Sequence, residues 1–445
     1  MGPSSSLISG RKRLRYRVQS ICHSPTFISW RRSFSTEQNS NSNKDTEEPQ
    51  FPSKKTKNTT TKNTTTTITT TVDDDSYPMT TTNSHNSINS DPPMATWVED
   101  YLPVSMQPYA KLSRMDKPIG TWLLLWPCYW STAMAAATAA VTTDCSTSTT
   151  ATTTTTITTV EQMNLPSFFP DPYLLSLFTV GAFVMRGAGC TMNDFWDQEF
   201  DKKVRRTATR PLASGQITSN QAVQWLAVQL GLGCAVLVSL PHTMYTFGWG
   251  VASLPLVVLY PLMKRYTKYP QLVLGFTFNW GCWMGWAAAF GEMDYAIIAP
   301  LYVSGIAWTM VYDTIYANQD KEDDAAIGLH STALTFGSNG DEQQKRILHG
   351  FAALAYTGWL LSGYNLYVSD LASWNTTNLA ALGVYGVGVS SAYGHLIWQI
   401  HTADFNNPHN LAERFRSNSV VGAIVFVSIV AGNATAAATT ATNLL

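Results

Sequence analysis

The chain contains 445 residues, with 29 Lys and Arg against 30 Asp and Glu, and its formal net charge is −1. The basic residues lie in short stretches rather than along one continuous face, which argues against a nucleic-acid-binding protein. The six cysteines show no C-x-x-C or other metal-ligand spacing, so the sequence predicts neither a disulfide framework nor a zinc site.

The N-terminal region differs in composition from the rest of the chain. Residues 1–36 are basic and rich in Ser, and no acidic residue precedes Glu37. This composition is typical of a mitochondrial targeting presequence, with an ordinary basic tail as the alternative. Residues 37–95 are rich in Ser, Thr and Asn and hold too few apolar side chains to form a core, so we expect them to be disordered.

Residues 96–445 are predicted to form one all-α, multi-span integral membrane domain. Nearly uncharged apolar stretches of about 20 residues, the length that crosses a bilayer as a helix, recur along this region. A Thr-rich run at 142–160 follows the first stretch and is predicted to be a low-complexity loop insertion. The nine predicted spans are 119–141, 172–192, 221–241, 242–262, 271–291, 295–316, 347–368, 376–400 and 420–438.

The loop charges alternate along this region. Lys and Arg occur before the first span and after the second, fourth, sixth and eighth spans, whereas the other four connections contain none. Basic loops stay on the cytoplasmic side of a membrane, which for the mitochondrial inner membrane corresponds to the matrix. The alternation therefore predicts that the basic connections face the matrix and that the Thr-rich loop and residue 445 lie on the opposite side.

An acidic motif stands at the end of the second span. It runs from Asn193 and Asp194 through Asp197 to Asp201. If the helix continues, its turn of about 100° per residue brings the three carboxylates within about 60° of one face. A solvated acidic helix end is the alternative interpretation for such a motif taken alone.

A second acidic motif stands at the end of the sixth span. Asp313, Asp320 and Asp324 fall within about 40° of one line on a continuous helix, whereas Glu322 points the opposite way. Ionisable groups at membrane depth indicate function by default. Because hard oxygen ligands favour Mg²⁺, which binds through one or two carboxylates and substrate phosphates, we interpret the two motifs as halves of one metal–diphosphate clamp.

Several cations near the motifs suit a phosphate site. Arg206 and Arg210 lie one turn apart before a proline, and Lys264 and Arg265 open the connection after the fourth span. Their alternative role is to orient the protein in the membrane. Arg186 lies inside the second span and is either a substrate ligand or one half of an internal ion pair.

At these motifs the sequence resembles the UbiA superfamily of membrane prenyltransferases, over about residues 105–430. The signature N-D-x-x-D-x-x-x-D is matched at Asn193, Asp194, Asp197 and Asp201, and D-x-x-Y-A-x-x-D-x-x-x-D at Asp313, Tyr316, Ala317, Asp320 and Asp324. Segments 114–120, 260–267 and 275–281 look like the branch of the family that uses 4-hydroxybenzoate. The Thr-rich loop departs from the family pattern.

The resemblance implies a fold, a reaction and a set of partners. The fold is nine transmembrane helices around a central cavity. The reaction is the Mg²⁺-dependent transfer of a long all-trans prenyl group from polyprenyl diphosphate to position 3 of 4-hydroxybenzoate, in ubiquinone biosynthesis. The lipid bilayer and other proteins of that pathway are the remaining expected partners. The alternatives are another acceptor (homogentisate, a naphthoate or haem) or a cation-coupled transporter, although transporters place their coupling acids near the membrane midplane.

The resemblance also assigns roles to residues. The expected Mg²⁺ ligands are Asp194, Asp197, Asp201, Asp320 and Asp324. The expected substrate contacts are Arg186, Asn193, Arg206, Arg210, Lys264, Asn279 and Tyr316. Either Arg114 or Arg265 is expected to hold the benzoate carboxylate, and Asp313 is a candidate base.

Overall fold

The structure is a computed structural model, and it describes residues 97–143, 168–204, 207–368 and 375–443. In these ranges the chain is all-α, as the sequence predicts, and contains no strand. The predicted presequence, the predicted disordered segment, Arg206 and nearly all of the Thr-rich loop lie outside the described residues.

The described ranges contain seventeen α-helices. They are α1 (Trp97–Tyr101), α2 (Gln107–Leu112), α3 (Ile119–Thr143), α4 (Pro172–Trp196), α5 (Gln198–Asp201), α6 (Ser219–Ser239), α7 (Thr243–Leu259), α8 (Met263–Tyr266), α9 (Pro270–Phe278), α10 (Gly281–Phe290), α11 (Tyr295–Ala317), α12 (Lys321–Ala326), α13 (Thr332–Phe336), α14 (Asp341–Tyr367), α15 (Thr376–Thr402), α16 (Pro408–Arg416) and α17 (Asn418–Asn443). Three 3₁₀ turns link consecutive helices at Tyr260–Leu262, Asn318–Asp320 and Gly337–Asn339.

Side-chain caps set the starts of the helices that carry the site. Asp171 precedes α4 and its carboxylate accepts a hydrogen bond from the backbone N–H of Tyr173 at 2.9 Å. Asp294 caps α11 in the same way, 2.9 Å from the N–H of Ala296. These acceptors satisfy N–H groups that have no partner within the helix, so both helices begin at fixed residues and run toward their acidic motifs.

The fifth predicted span, 271–291, is not one helix. It is divided into α9 and α10 at Asn279, whose side-chain amide donates to the carbonyl of Gly275 and to the hydroxyl of Thr309, both at 2.9 Å. Since Thr309 belongs to α11, a contact with another helix holds the break.

Each of the nine predicted spans overlaps a helix or, for the fifth, a pair of helices. Five helical stretches in the described ranges are long and apolar enough to cross a membrane. They are Pro172–Trp196, Ser219–Ser239, Thr243–Tyr266, Tyr295–Ala326 and Pro408–Ala438. The helices α9 and α10 have only nine and ten residues, fewer than one crossing requires. Nine crossings therefore remain a prediction.

The long helices close into a ring. Each packs against the next in chain order, α17 returns to α3, and α10 also packs across the ring against α3. The side from α10 and α11 through α17 to α3 is densely packed. There the fully buried Trp130 contacts the equally buried Trp308 and Trp359. The helices α6 and α7 instead expose apolar side chains such as Leu232 and Met244 outward. A cavity remains between these helices and the dense side.

Candidate active site

A cavity of about 1580 Å³ runs between the dense side of the ring and helices α4, α6 and α7. The C-terminal ends of α4 and α11 give it a charged end, and the other end of α4 lies among apolar side chains. The charged lining includes Arg114, Asp194, Asp197, Asp201, Arg210, Lys264, Asp313, Asp320 and Asp324. The apolar lining includes Leu177, Phe178, Met185, Leu237, Phe247, Leu254, Phe278 and Met284.

Two arginines neutralise the first motif. Asp194 is 1% exposed, and its carboxylate accepts from Arg114 Nη2 at 2.9 Å and from Arg210 Nη1 at 3.0 Å. The same Arg210 nitrogen donates to Asp201 at 2.7 Å. A buried carboxylate is stable only when it is paired, so these contacts make the charge at the end of α4 tolerable. Arg210 thereby bridges two carboxylates of one motif.

Asp197 terminates α4 and has a separate partner. Arg265 Nη2 donates to its carboxylate at 3.0 Å, and the guanidinium lies 4.6 Å from the centre of the Phe200 ring. Burial raises the pKa of Asp197 above the ordinary value of a carboxyl group, and the hydrogen bond from Arg265 opposes this shift. Asp197 and Asp313 line one small side pocket, which brings the two motifs together.

The second motif reaches the cavity by an unexpected route. A continuous helix was predicted here, but α11 ends at Ala317 and a 3₁₀ turn leads into α12. Asp313, Asp320 and Asp324 nevertheless all line the cavity. Asp324 is buried, and Lys264 Nζ lies 3.3 Å from its Oδ2. The two motifs thus share one site although the helix between them is interrupted.

Arg186 lies nearly three turns before the end of α4 and lines the cavity. Its Nη1 is 2.6 Å from Cys190 Sγ, and its guanidinium carbon is 5.7 Å from the centre of the Phe278 ring. No carboxylate in the described ranges lies within ion-pair distance of it. Among the residues that the structure describes, Arg186 therefore does not form the internal ion pair considered as its alternative role.

The remaining predicted contacts differ in their position relative to the cavity. Asn193 and Tyr316 line the cavity, and the Tyr316 ring packs 4.3 Å from that of Phe415 in α16. Arg265 lies behind Asp197, outside the lining. Asn279 is 1% exposed between α9, α10 and α11 and does not reach the cavity. Arg206 lies outside the described residues.

The structure also reveals cavity residues that the motifs did not indicate. Tyr260, Cys190, Phe415 and Arg416 all line the cavity. A signal existed only for Tyr260, which begins one of the segments typical of the family branch. The short helix α16 is too polar to count as a span, and no sequence period indicates that it returns to the second motif.

The donor set fits Mg²⁺ bound together with a phosphate. Within the described ranges, no three His, Cys, Asp or Glu side chains stand close enough to hold an ion alone. Mg²⁺ typically takes one or two carboxylates and completes its octahedral shell with water and substrate phosphates. Carboxylates arriving from two helices at one cavity end suit that mode, whereas a structural zinc site would need a closed set of four ligands.

Comparison with known proteins decides the family. The profile of the UbiA prenyltransferase family matches residues 163–417, a range that contains both acidic motifs. The human protein named 4-hydroxybenzoate polyprenyltransferase, mitochondrial, is 45% identical over 339 residues, which cover 76% of this chain and 79% of the human one. The chain belongs to the UbiA prenyltransferase family. This confirms the resemblance stated from the motifs.

Other UbiA relatives agree in name and extent. The protein of the same name from Arabidopsis thaliana is 43% identical, covering 76% of this chain and 72% of its own. Among solved structures, an apo UbiA homologue from Aeropyrum pernix K1 is 19% identical, with a TM-score of 0.48, and covers 69% of this chain and 96% of its own. A homologue from Archaeoglobus fulgidus bound to GPP and Mg²⁺ is 13% identical, with a TM-score of 0.46, and covers 74% and 99%.

Proposed function

We propose that this chain transfers a long-chain all-trans polyprenyl group from polyprenyl diphosphate to position 3 of 4-hydroxybenzoate, a membrane step of ubiquinone biosynthesis. The observation that carries the proposal is the identity of 43–45% to 4-hydroxybenzoate polyprenyltransferases of animals and a plant. The cavity supports it independently, because its charged end suits a diphosphate and its apolar length suits a prenyl chain.

The diphosphate belongs at the charged end. Mg²⁺ held by Asp194, Asp197 and Asp201 on one side and by Asp320 and Asp324 on the other would supply the positive charge that stabilises the leaving group. In this structure Arg114, Arg210 and Lys264 lie at hydrogen-bonding distance from motif carboxylates. When a diphosphate enters, Arg114, Arg210 and Lys264 are placed to donate to its oxygens instead, since guanidinium and ammonium groups bind both anions.

The apolar lining protects the reacting carbon. Breaking the C1–O bond of an allylic diphosphate leaves a cation that water would capture. Side chains of α4, α6, α7, α9 and α10, among them Met185, Phe278 and Met284, line the cavity beyond the charged end. They bury the prenyl chain and exclude water, and the burial contributes about 0.8 kcal/mol per CH₂ group.

Arg186 is the best candidate for the carboxylate of 4-hydroxybenzoate. Arg114 and Arg265 were the residues expected to hold this carboxylate, but both donate to motif carboxylates. Arg186 has no carboxylate partner in the described ranges and faces the cavity deeper than the motifs. A carboxylate held there points the ring toward the charged end. The ring carbon next to the hydroxyl then bonds to C1, and Asp313 is placed to accept the proton that this carbon loses.

Product analysis tests the proposal. Membranes containing the purified chain are given Mg²⁺, a series of prenyl diphosphates and one acceptor at a time: 4-hydroxybenzoate, homogentisate, a naphthoate or haem. We expect mass spectrometry to show 3-polyprenyl-4-hydroxybenzoate, and no product when EDTA replaces Mg²⁺. Prenylation of another acceptor in preference to 4-hydroxybenzoate would contradict the proposed substrate, and transport without product would contradict the enzyme.

A further inference from the structure

The guanidinium of Arg186 is confined by three neighbours from different parts of the fold. Cys190, one turn along α4, places its thiol 2.6 Å from Nη1. The Phe278 ring at the end of α9 lies within cation–π range. Gly120, the second residue of α3, faces the guanidinium directly. The charged group is therefore held in one place although its own side chain is long and flexible.

Gly120 provides space rather than backbone freedom. It is a helical residue, and its backbone does not adopt the left-handed region. A Cβ at this position would approach Nε of Arg186 and would come within 2.8 Å of both Cζ and Nη2. The atoms it meets are the far end of a flexible side chain. A methyl group at position 120 would thus displace the guanidinium and leave the packing of α3 against α4 intact.

The confined guanidinium also retains an unused donor. Nε of Arg186 is buried and has no hydrogen-bond partner in the described ranges. A buried unsatisfied donor is costly, and the residue that carries it lines the cavity. A carboxylate that enters the cavity would pair with the guanidinium, because guanidinium and carboxylate form paired hydrogen bonds.

We propose that Gly120 and Cys190 are positioning residues that fix the Arg186 guanidinium for the carboxylate of the aromatic acceptor. This inference rests on the proposed function and deepens it. Neither residue touches the acceptor; each acts through Arg186, Gly120 by leaving room for the guanidinium and Cys190 by accepting a hydrogen bond from it. This role explains in physical terms why a glycine ends segment 114–120.

Steady-state kinetics with two acceptors test the inference. The acceptors are 4-hydroxybenzoate and methyl 4-hydroxybenzoate, which keeps the phenol and lacks the anion. For Gly120→Ala we expect KM for the acid to rise about tenfold, the loss typical of one charge-assisted hydrogen bond. KM for the ester and for the prenyl diphosphate should stay within about twofold. The preference for acid over ester falls in consequence.

Further variants separate positioning from structural damage. Cys190→Ala should lower the acid preference, and Cys190→Ser should restore it, because the hydroxyl accepts a hydrogen bond in place of the thiol. Gly120→Ala should have no added effect on acid preference in an Arg186→Met background, where nothing is left to position. Gly231→Ala is the matched control, since a Cβ there meets nothing within 4 Å.

The results that would contradict the inference differ from those that would contradict the proposed function. An unchanged acid preference in Gly120→Ala, or an equal rise of KM for acid and ester, would overturn the inference and leave the proposed function intact. Additive effects of Gly120→Ala and Arg186→Met on acid preference would overturn it as well. If the unmodified chain fails to prenylate 4-hydroxybenzoate, the proposed function and this inference fall together.

Discussion

At the scale of single residues, the site is held together by charges that balance in pairs. Asp194, Arg210 and Asp201 form one connected group, and Arg265 and Lys264 each neutralise one further carboxylate. Two motifs of like charge can share a cavity end because these cations lie among them. The same pairs mean that loss of charge at a motif has two consequences, one for metal binding and one for folding.

The least exposed pairs should control stability. We expect Arg210→Met to leave both Asp194 and Asp201 short of a partner and to cost about 3–5 kcal/mol, the range for breaking a buried ion pair. Thermal unfolding in detergent measures the loss. Lys202→Met is the control, because its pair with Glu199 is on the surface and should contribute little. Equal unfolding temperatures for the two variants would contradict the argument.

Asp197 and Asp320, one carboxylate from each motif, should report on metal binding. We expect Asp197→Asn and Asp320→Asn to lower turnover by about 100-fold or more, because they remove several kcal/mol of charge stabilisation from the departing diphosphate. Activity at a series of Mg²⁺ concentrations measures this, and high Mg²⁺ should restore part of it.

Glu322→Gln is the matched control, since Glu322 is exposed and lies outside the cavity lining. Near-normal turnover of the Asp variants at limiting Mg²⁺ would contradict the two-motif clamp. So would equal damage by Glu322→Gln.

At the scale of helices, the sequence predicts the positions of the long helices well and the breaks within them poorly. Apolar length located each long helix, because a bilayer imposes that length. The break at Asn279 is different, since a hydrogen bond to Thr309 in another helix holds it and no local pattern records such a contact. The 3₁₀ turn Asn318–Asp320 was also missed, because the predicted helix was extended through it. The site residues were still recognised, because the family motif preserves their spacing through the turn.

The packing of Asn279 against α11 at this break should contribute to the stability of the protein. Its side chain fills the space beside Gly305 of α11, where a Cβ would come within 2.5 Å of its Cγ. Both hydrogen bonds hold the amide in place, so it has no room to move away. We expect Gly305→Ala to cost about 1–3 kcal/mol by overpacking, measured as a lower unfolding temperature in detergent.

The control for this variant is Gly383→Ala in α15, where a Cβ meets nothing within 4 Å. Alanine also has a higher helix propensity than glycine, so this variant should not lose stability. If Gly305→Ala unfolds at the same temperature as Gly383→Ala, the contact with Asn279 is not rigid. A change in KM for 4-hydroxybenzoate without a change in stability would instead favour the substrate role first expected for Asn279.

At the scale of the whole molecule, the ion pairs join connections that are far apart in sequence. Arg114 precedes the first span, Arg210 follows the second, and Lys264 follows the fourth, yet they meet carboxylates at the ends of α4 and α12. The charge alternation predicted that these connections share one side, and their contacts place them at one end of the helix ring. Which partner each charge takes was beyond the sequence, because pairing depends on how the ring closes.

The sidedness of these connections leads to a prediction about compartments. We propose that the chain lies in the mitochondrial inner membrane with the charged end of the cavity toward the matrix, since basic loops resist translocation. A tag inserted at Thr150 and another after Leu445 should be removed by protease in mitoplasts, whereas a tag at Asn339, beside the second motif, should survive until detergent is added.

Intact Thr150 and Leu445 tags with a cleaved Asn339 tag would reverse the orientation. The cavity would then open to the intermembrane space, although its relatives are named mitochondrial in either case. Cleavage of all three tags before detergent would show instead that Asn339 and Thr150 share a side, which an odd number of crossings between them forbids.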